Sequence, residues 1–317
     1  NRRGGDGGGG YSGPPLGFAG SGDSDRFNFA FATSLSELAG AGGGGADLMV
    51  GSHEDVTSVD PVSPFDVWVK GEWAHAEQDN TKSDLGLLTF GPVYLVNPTL
   101  LVGLLAQFDW MDQTNTTDDI EADGMGWMAG PYVVARLNQN LLFDGRIAWG
   151  QSDNTVDPLG VGSDNYNTTR WLARGQLTGD FRKNNWRFSP HIAAIYFEED
   201  QKAYTDSLGT PIPRQTVSLG RVTFGPEVSY VFKKDAMEIE PFLGFEGIWD
   251  FDTAEIVNLT SGLAAGSSSD IRGRVQGGIS FRNGKGATLE GSACYDGIGV
   301  DDLEVYGGRV RLTVPVN

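Results

Sequence analysis

The connections between strand-like segments in this chain are of two unequal kinds, and that asymmetry restricts its fold more than any motif does. From Phe65 onward about twelve stretches read as strands. Every second connection is tiny: Asn97-Pro98, Asn138-Gln139-Asn140, Lys183-Asn184-Asn185, Lys233-Lys234-Asp235 and Asn283-Gly284-Lys285. Those between them read as long and acidic, as over 113–123 and 151–167. Short turns at one rim and long loops at the other are the signature of a chain weaving up and down an outer membrane as a closed β-barrel.

Period-two alternation supports the strands. Leu141, Phe143, Ile147 and Trp149 share one face, against Asp144 and Arg146. Val222, Phe224, Val228, Tyr230 and Phe232 oppose Arg221, Thr223, Glu227 and Ser229. A soluble sandwich alternates too, with its apolar face inside. Three features favour the inverted arrangement. The polar face carries both signs, as a wet, ion-paired interior does: Arg174, Arg221, Arg272, Arg274, Arg309 and Arg311 against Asp144, Glu227, Glu246, Asp250 and Glu290. Aromatics on the apolar face gather near strand ends (Trp73, Trp110, Trp149, Trp186, Trp249, Phe181, Phe232, Phe281), where a barrel has its girdles. The strands also run about 12 residues or more, against about 5–6 in ordinary sheets. The residues expected to line the lumen are Arg146, Arg174, Arg221, Glu227, Glu246, Arg272, Arg274, Glu290, Arg309 and Arg311.

Composition adds exclusions. A mean hydropathy of -0.25 describes a soluble chain, but a spanning strand hides its apolar residues among polar ones. No run approaches the roughly 18 apolar residues of a membrane helix. The net charge of -19 argues against nucleic acid as a partner, since phosphate binding needs a basic face. One cysteine, Cys294, excludes an internal disulfide and a multi-cysteine metal site. No signal peptide is evident, which points to a piece of a longer exported precursor.

Ahead of the barrel at 65–317, residues 1–23 are Gly-rich and read as a flexible tether. Ser24 or Asp25 can cap a helix over 24–39, in which Phe27, Phe31, Leu35 and Leu38 recur at helical spacing until Gly40. Residues 24–64 are expected inside the lumen, or plugging it.

Few residues invite chemistry. Gly40 to Gly45 matches a dinucleotide fingerprint only in letters, lacking a preceding strand. Asp119, Glu121, Asp123 and Gly124 imitate the start of a calcium loop, but the position owed to a bidentate Glu is Gly130. His53, His75 and His191 are dispersed, and His191 reads as a packed, hydrogen-bonded lumen residue. Cys294 has no evident histidine partner. Neither a catalytic site, nor a cofactor, nor a metal site is expected.

The ordered set of segments resembles the C-terminal translocator domain of autotransporters (type V secretion), most of all alphaproteobacterial members. It comprises Pro64-Phe65-Asp66-Val67-Trp68-Val69-Lys70-Gly71, Gly126-Trp127-Met128-Ala129-Gly130-Pro131-Tyr132 and Ser218 to Val228, with Phe188-Ser189-Pro190, Ile239-Glu240-Pro241 and Tyr295 to Gly299. The resemblance implies an all-β fold, a twelve-stranded antiparallel transmembrane barrel with an N-terminal linker and short helix. It implies export and anchoring of an N-terminal passenger, with outer-membrane lipid, lipopolysaccharide and the barrel-assembly machinery as further partners. Some members cut themselves at an asparagine inside the barrel, and Asn28 is the Asn that falls in 24–64. Two features depart from the family: about 25 residues separate the helix from the first strand, and the chain ends Val314-Pro315-Val316-Asn317 without a terminal aromatic. A stand-alone surface receptor or adhesin, or a small-solute porin, is the alternative.

Overall fold

The computed structural model describes residues 65–78, 81–115, 120–157, 162–207, 209, 211–253, 271–300 and 303–315. The tether, the helix at 24–39 with Phe27, Phe31, Leu35 and Leu38, the glycine run and Asn28 lie outside the described residues.

Twelve staves form one closed antiparallel wall. The first five are unbroken: β1 (Phe65–Gln78), β2 (Thr81–Asn97), β3 (Leu100–Asn115), β4 (Ile120–Asn138) and β5 (Leu141–Asp157). The sixth is β6 (Asp164–Gly179) continued by β7 (Phe181–Lys183), and the seventh is β8 (Trp186–Phe188) with β9 (His191–Gln201). A small hairpin, β10 (Tyr204–Thr205) and β11 (Pro211–Ile212), stands apart above the wall. The eighth stave runs through β12 (Gln215–Gly225), β13 (Glu227–Tyr230) and β14 (Phe232–Lys234). Then come β15 (Met237–Thr253), β16 (Arg272–Asn283), β17 (Thr288–Ile298) and β18 (Leu303–Pro315). β1 pairs with both β2 and β18, so the sheet has no open lateral edge there. Closure answers every strand's backbone groups in a medium that offers no water.

The short turns close on their own side chains. Asn97 Oδ1 accepts from the Thr99 amide at 2.9 Å, Asn138 Oδ1 from that of Asn140 at 2.8 Å, and Asn283 Oδ1 from that of Lys285 at 2.9 Å. Asn184 and Asp235 supply the left-handed step at φ 56° and 54°. Asparagine and aspartate tolerate that region, which explains their use here.

At the other rim the strands run further than the sequence implies. Only 116–119 separate β3 from β4, and 158–163 separate β5 from β6. Glu121, Asp123, Asp153, Asp157 and Asp164 therefore belong to strands, not to loops. Pairing continues above the hydrocarbon, where alternation lets Asp112, Glu121 and Asp123 face water. The calcium-loop resemblance fails on the same ground, because Glu121, Asp123 and Gly124 are extended in β4 and cannot wrap an ion.

Gly91-Pro92, Gly130-Pro131 and Gly225-Pro226 mark three bends in the wall. A Cβ at Gly91, Gly130 or Gly225 would stand 1.8–1.9 Å from the carbonyl oxygen of Leu104, Ile147 or Phe245 on the next strand. The ladder register skips residues at each bend, where proline has no N–H to give. Gly91 and Gly130 flank Leu104 and Leu105 of β3, so these two bends curve the same stretch of wall.

Candidate functional site: a two-sided lumen

Outward side chains are apolar and exposed. Trp73, Trp110, Trp149 and Trp249 lie toward the long-connection rim, and Phe181, Trp186, Phe232 and Phe281 toward the short-turn rim. Inward side chains divide into two unlike walls.

One wall is ionic. Register sets Arg221 of β12 opposite Asp250 of β15, and Arg274 of β16 between Glu246 of β15 and Asp296 of β17. Arg221 donates through Nε and Nη2 to the two oxygens of Asp250, the latter at 2.7 Å. Arg272 Nη1 reaches Asp250 at 2.8 Å and its Nε reaches Asp296 at 3.0 Å. Arg274 Nη2 donates to Asp296 at 2.9 Å, while its Nη1 stands 3.8 Å from Glu246. Glu246 also meets His191 Nε2 at 2.9 Å. Arg221, Arg272, Arg274, Asp250, Asp296 and Glu246 thus alternate in sign and cancel. Isolated charges removed from water cost several kcal/mol each, so a ladder in which each carboxylate serves two partners is how this density persists. His191 and Glu246 end the ladder.

The second wall is apolar, a feature the expectation of an ionic bore missed. Leu85, Leu87, Val93, Leu101, Leu105, Met128, Val134, Leu142, Leu172, Phe197 and Leu219 point inward and form one cluster with Trp68 and Tyr132. Phe197, Leu142 and Leu219 are 0% exposed. The Trp68 Nε1 donates to the Tyr132 hydroxyl at 2.7 Å, which removes the polar ends of both rings from the cluster. Polar groups bracket it. Toward the outer rim, Arg170 donates to both oxygens of Asp109 at 2.6 and 2.7 Å, and Ser152 and Thr168 share Glu199. Toward the short turns, Arg174 donates to Asp144 at 2.8 Å.

The lumen residues named from sequence fall into three settings. Arg221, Glu246, Arg272 and Arg274 are brought together in the ladder. Arg146 and Arg174 belong to the apolar side's short-turn end. Arg309, Arg311 and Glu290 sit inward on β18 and β17, where Arg311 lies opposite Glu290 and 5.8 Å over the Trp68 ring. Glu227 accepts from Gln276 at 3.4 Å near the short-turn rim. Arg170 with Asp109 and the Ser152–Thr168–Glu199 group were not anticipated. The signal for the apolar wall was present: strands such as Leu85 to Val96 are apolar on both faces, and alternation is clear only later in the chain.

The outer mouth carries the β10–β11 hairpin. Ile212 is buried against Ala122 and Val156, and Tyr204 stacks on Tyr166 with centroids 5.8 Å apart. The Ser207 amide donates to Asp164 at 2.6 Å. Burial pushes the Tyr204 hydroxyl up to about 12, so the stack stays neutral.

A closed barrel that shows aromatic, apolar staves outward and pairs its charges inward is an integral outer-membrane β-barrel. Residues 67–293 match the model of the autotransporter beta-domain family, well over half of the chain, and the chain belongs to that family. It is a translocator barrel of type V secretion, in the outer membrane of a Gram-negative bacterium, serving export and anchoring of an N-terminal passenger. Solved structures share the fold at low identity. The translocator domain of NalP from Neisseria meningitidis aligns with TM-score 0.66 and 13% identity over 91% of this chain and 99% of its own. The beta domain of the Bordetella autotransporter BrkA gives 0.64 and 14%, over 80% and 100%. The transport unit of AIDA-I from Escherichia coli gives 0.61 and 13%, over 90% and 97%. No curated protein matches the chain.

Proposed function

We propose that the two walls serve different stages of one task, passage of an extended passenger and then retention of the segment that follows it, and that neither stage is enzymatic. The observation that carries this is the division of the lumen. A charge-cancelled ladder offers hydrogen-bond partners to a passing backbone without a net field that would trap one sign. The apolar wall offers a resting place for an amphipathic segment, and the stripe Phe27, Phe31, Leu35 and Leu38 within 24–64 is its natural occupant. Residues 1–23 then tether the passenger outside, and 24–64 fill the bore.

Magnitudes say both walls are needed. Burying four large apolar side chains contributes about 6–12 kcal/mol at most. Fixing the backbone of sixteen residues costs about 16 kcal/mol or more. Apolar docking alone therefore does not hold 24–39. Its own helix hydrogen bonds and polar contacts to the ladder must supply the rest. Lipopolysaccharide around the outer rim and the barrel-assembly machinery during insertion complete the proposed partners.

A photo-crosslinker at Met128, on the apolar wall, tests the arrangement. Adducts mapping to 24–39, with a nearly silent conductance of the intact chain in planar bilayers, are the expected result. Adducts confined to neighbouring strands, with an open channel, refute it.

A further inference from the structure

Below the belt of ordinary staves, one corner of the short-turn rim is built differently. β6 breaks at Asp180, the seventh stave at Ser189-Pro190 and the eighth at Pro226, so three neighbours bend together. Beyond the break, β7 pairs with β8, and β8 with β13. The adjacent stave β5 begins at Leu141, opposite Gly179, where the Asp180 amide donates to the Asn140 carbonyl at 2.8 Å. The β7–β8 hairpin therefore projects past the neighbouring turn by three residues, about 10 Å.

Its outward surface is aromatic and concave. Phe181 and Phe188 lie 6.4 Å apart, Trp186 meets Tyr230 edge-on at 4.9 Å, and Tyr230 meets Phe232 at 4.7 Å. Phe181 is 50% and Trp186 56% exposed. A groove of about 350 Å³ runs between Phe181, Trp186, Phe188 and Val228, bordered by Arg182 and Lys183. That volume lies at the lower end of small-ligand pockets, about 300–1,000 Å³.

Charge identifies what fits. In a chain of net charge -19, the two adjacent short turns bring four cations to this corner: Arg182, Lys183, Lys233 and Lys234. Arg182 is held by Asp180 at 3.2 Å and Lys233 by Glu238 at 3.1 Å. Among the described residues, Lys183 and Lys234 have no carboxylate within ion-pair distance. Short turns face the periplasm, so the groove opens at the level where the inner leaflet's headgroups begin. We infer that this corner is a binding site for an anionic glycerophospholipid of the periplasmic leaflet, its acyl chain in the aromatic groove and its phosphate between Lys183 and Lys234. Lipopolysaccharide phosphate belongs to the opposite leaflet, and a zwitterionic lipid brings an ammonium that the lysines repel.

The test uses the whole chain folded into phosphatidylcholine vesicles carrying increasing fractions of brominated phosphatidylglycerol or brominated phosphatidylcholine. Quenching assigned to Trp186 is taken as the difference between the parent and Trp186→Phe. Quenching at a lower mole fraction for the anionic lipid is expected, with a loss of about fivefold in that preference per lysine in Lys183→Gln and Lys234→Gln. Lys183→Arg should keep it. Heat-modifiable gel migration shows that each variant is folded. Equal quenching by both lipids, no quenching of Trp186, or a preference that survives the double lysine variant overturns the inference. Absence of quenching would instead fit a peptide pairing with the edge of β7.

Discussion

Gly126→Ala is the sharpest probe of how the apolar half of the lumen tolerates ions. Arg170 starts on β6 and must pass β5 and β4 to reach Asp109 on β3. It does so across Gly126, where a Cβ would stand 1.4 Å from Arg170 Nη2 and 2.7 Å from Asp109 Oδ1. One methyl group therefore displaces the guanidinium from a carboxylate that is 6% exposed. Breaking a buried pair leaves both charges uncompensated, at about 3–5 kcal/mol. The guanidinium is flexible and also contacts the Gln151 carbonyl at 3.3 Å, which favours the lower figure, about 3 kcal/mol. That is roughly a hundredfold in the unfolding equilibrium. Urea unfolding in lipid vesicles, followed by tryptophan fluorescence, measures it. In an Asp109→Asn, Arg170→Met background no charge remains to strand, and Gly126→Ala should cost less than about 1 kcal/mol. A single variant within about 0.5 kcal/mol of the parent would falsify the argument. An undiminished cost in the neutral background would locate the effect in the backbone instead.

Further outcomes follow from the same geometry. Gly130→Val places side-chain atoms on the Ile147 carbonyl and should abolish the folded, heat-modifiable form, whereas Gly71→Ala meets nothing within 4 Å and should fold as the parent does. Asp250→Asn removes the carboxylate shared by Arg221 and Arg272 and should destabilise by about 3–5 kcal/mol in urea. His191→Gln, at the ladder's end, should cost about 1 kcal/mol. Ile212→Asp should release the mouth hairpin, seen as faster proteolysis within 202–214 with global unfolding changed by less than about 1 kcal/mol.

The alternation of Arg221 with Phe224, or of Arg146 with Ile147, sorts the side chains onto two faces by itself, because a strand's period of two is a property of the local backbone, and the mixed charges with the aromatics near strand ends mark which face meets lipid. The asparagine turns are equally local, whereas the connections of 113–123 and 151–167 proved shorter than they read, 116–119 and 158–163. Strand ends at the outer rim were less legible, since carboxylates such as Asp112 and Asp123 suit a loop and a water-facing strand alike. Only tertiary closure decided the partnerships. Asp250 lies between Arg221 and Arg272 because of inter-strand register, and Arg170 finds Asp109 because Gly126 leaves room two strands away. The apolar wall belongs to the same category. Leu85 and Leu88 are chemically alike, and which one lines the bore depends on how the whole sheet curls, a non-local fact that no single strand contains.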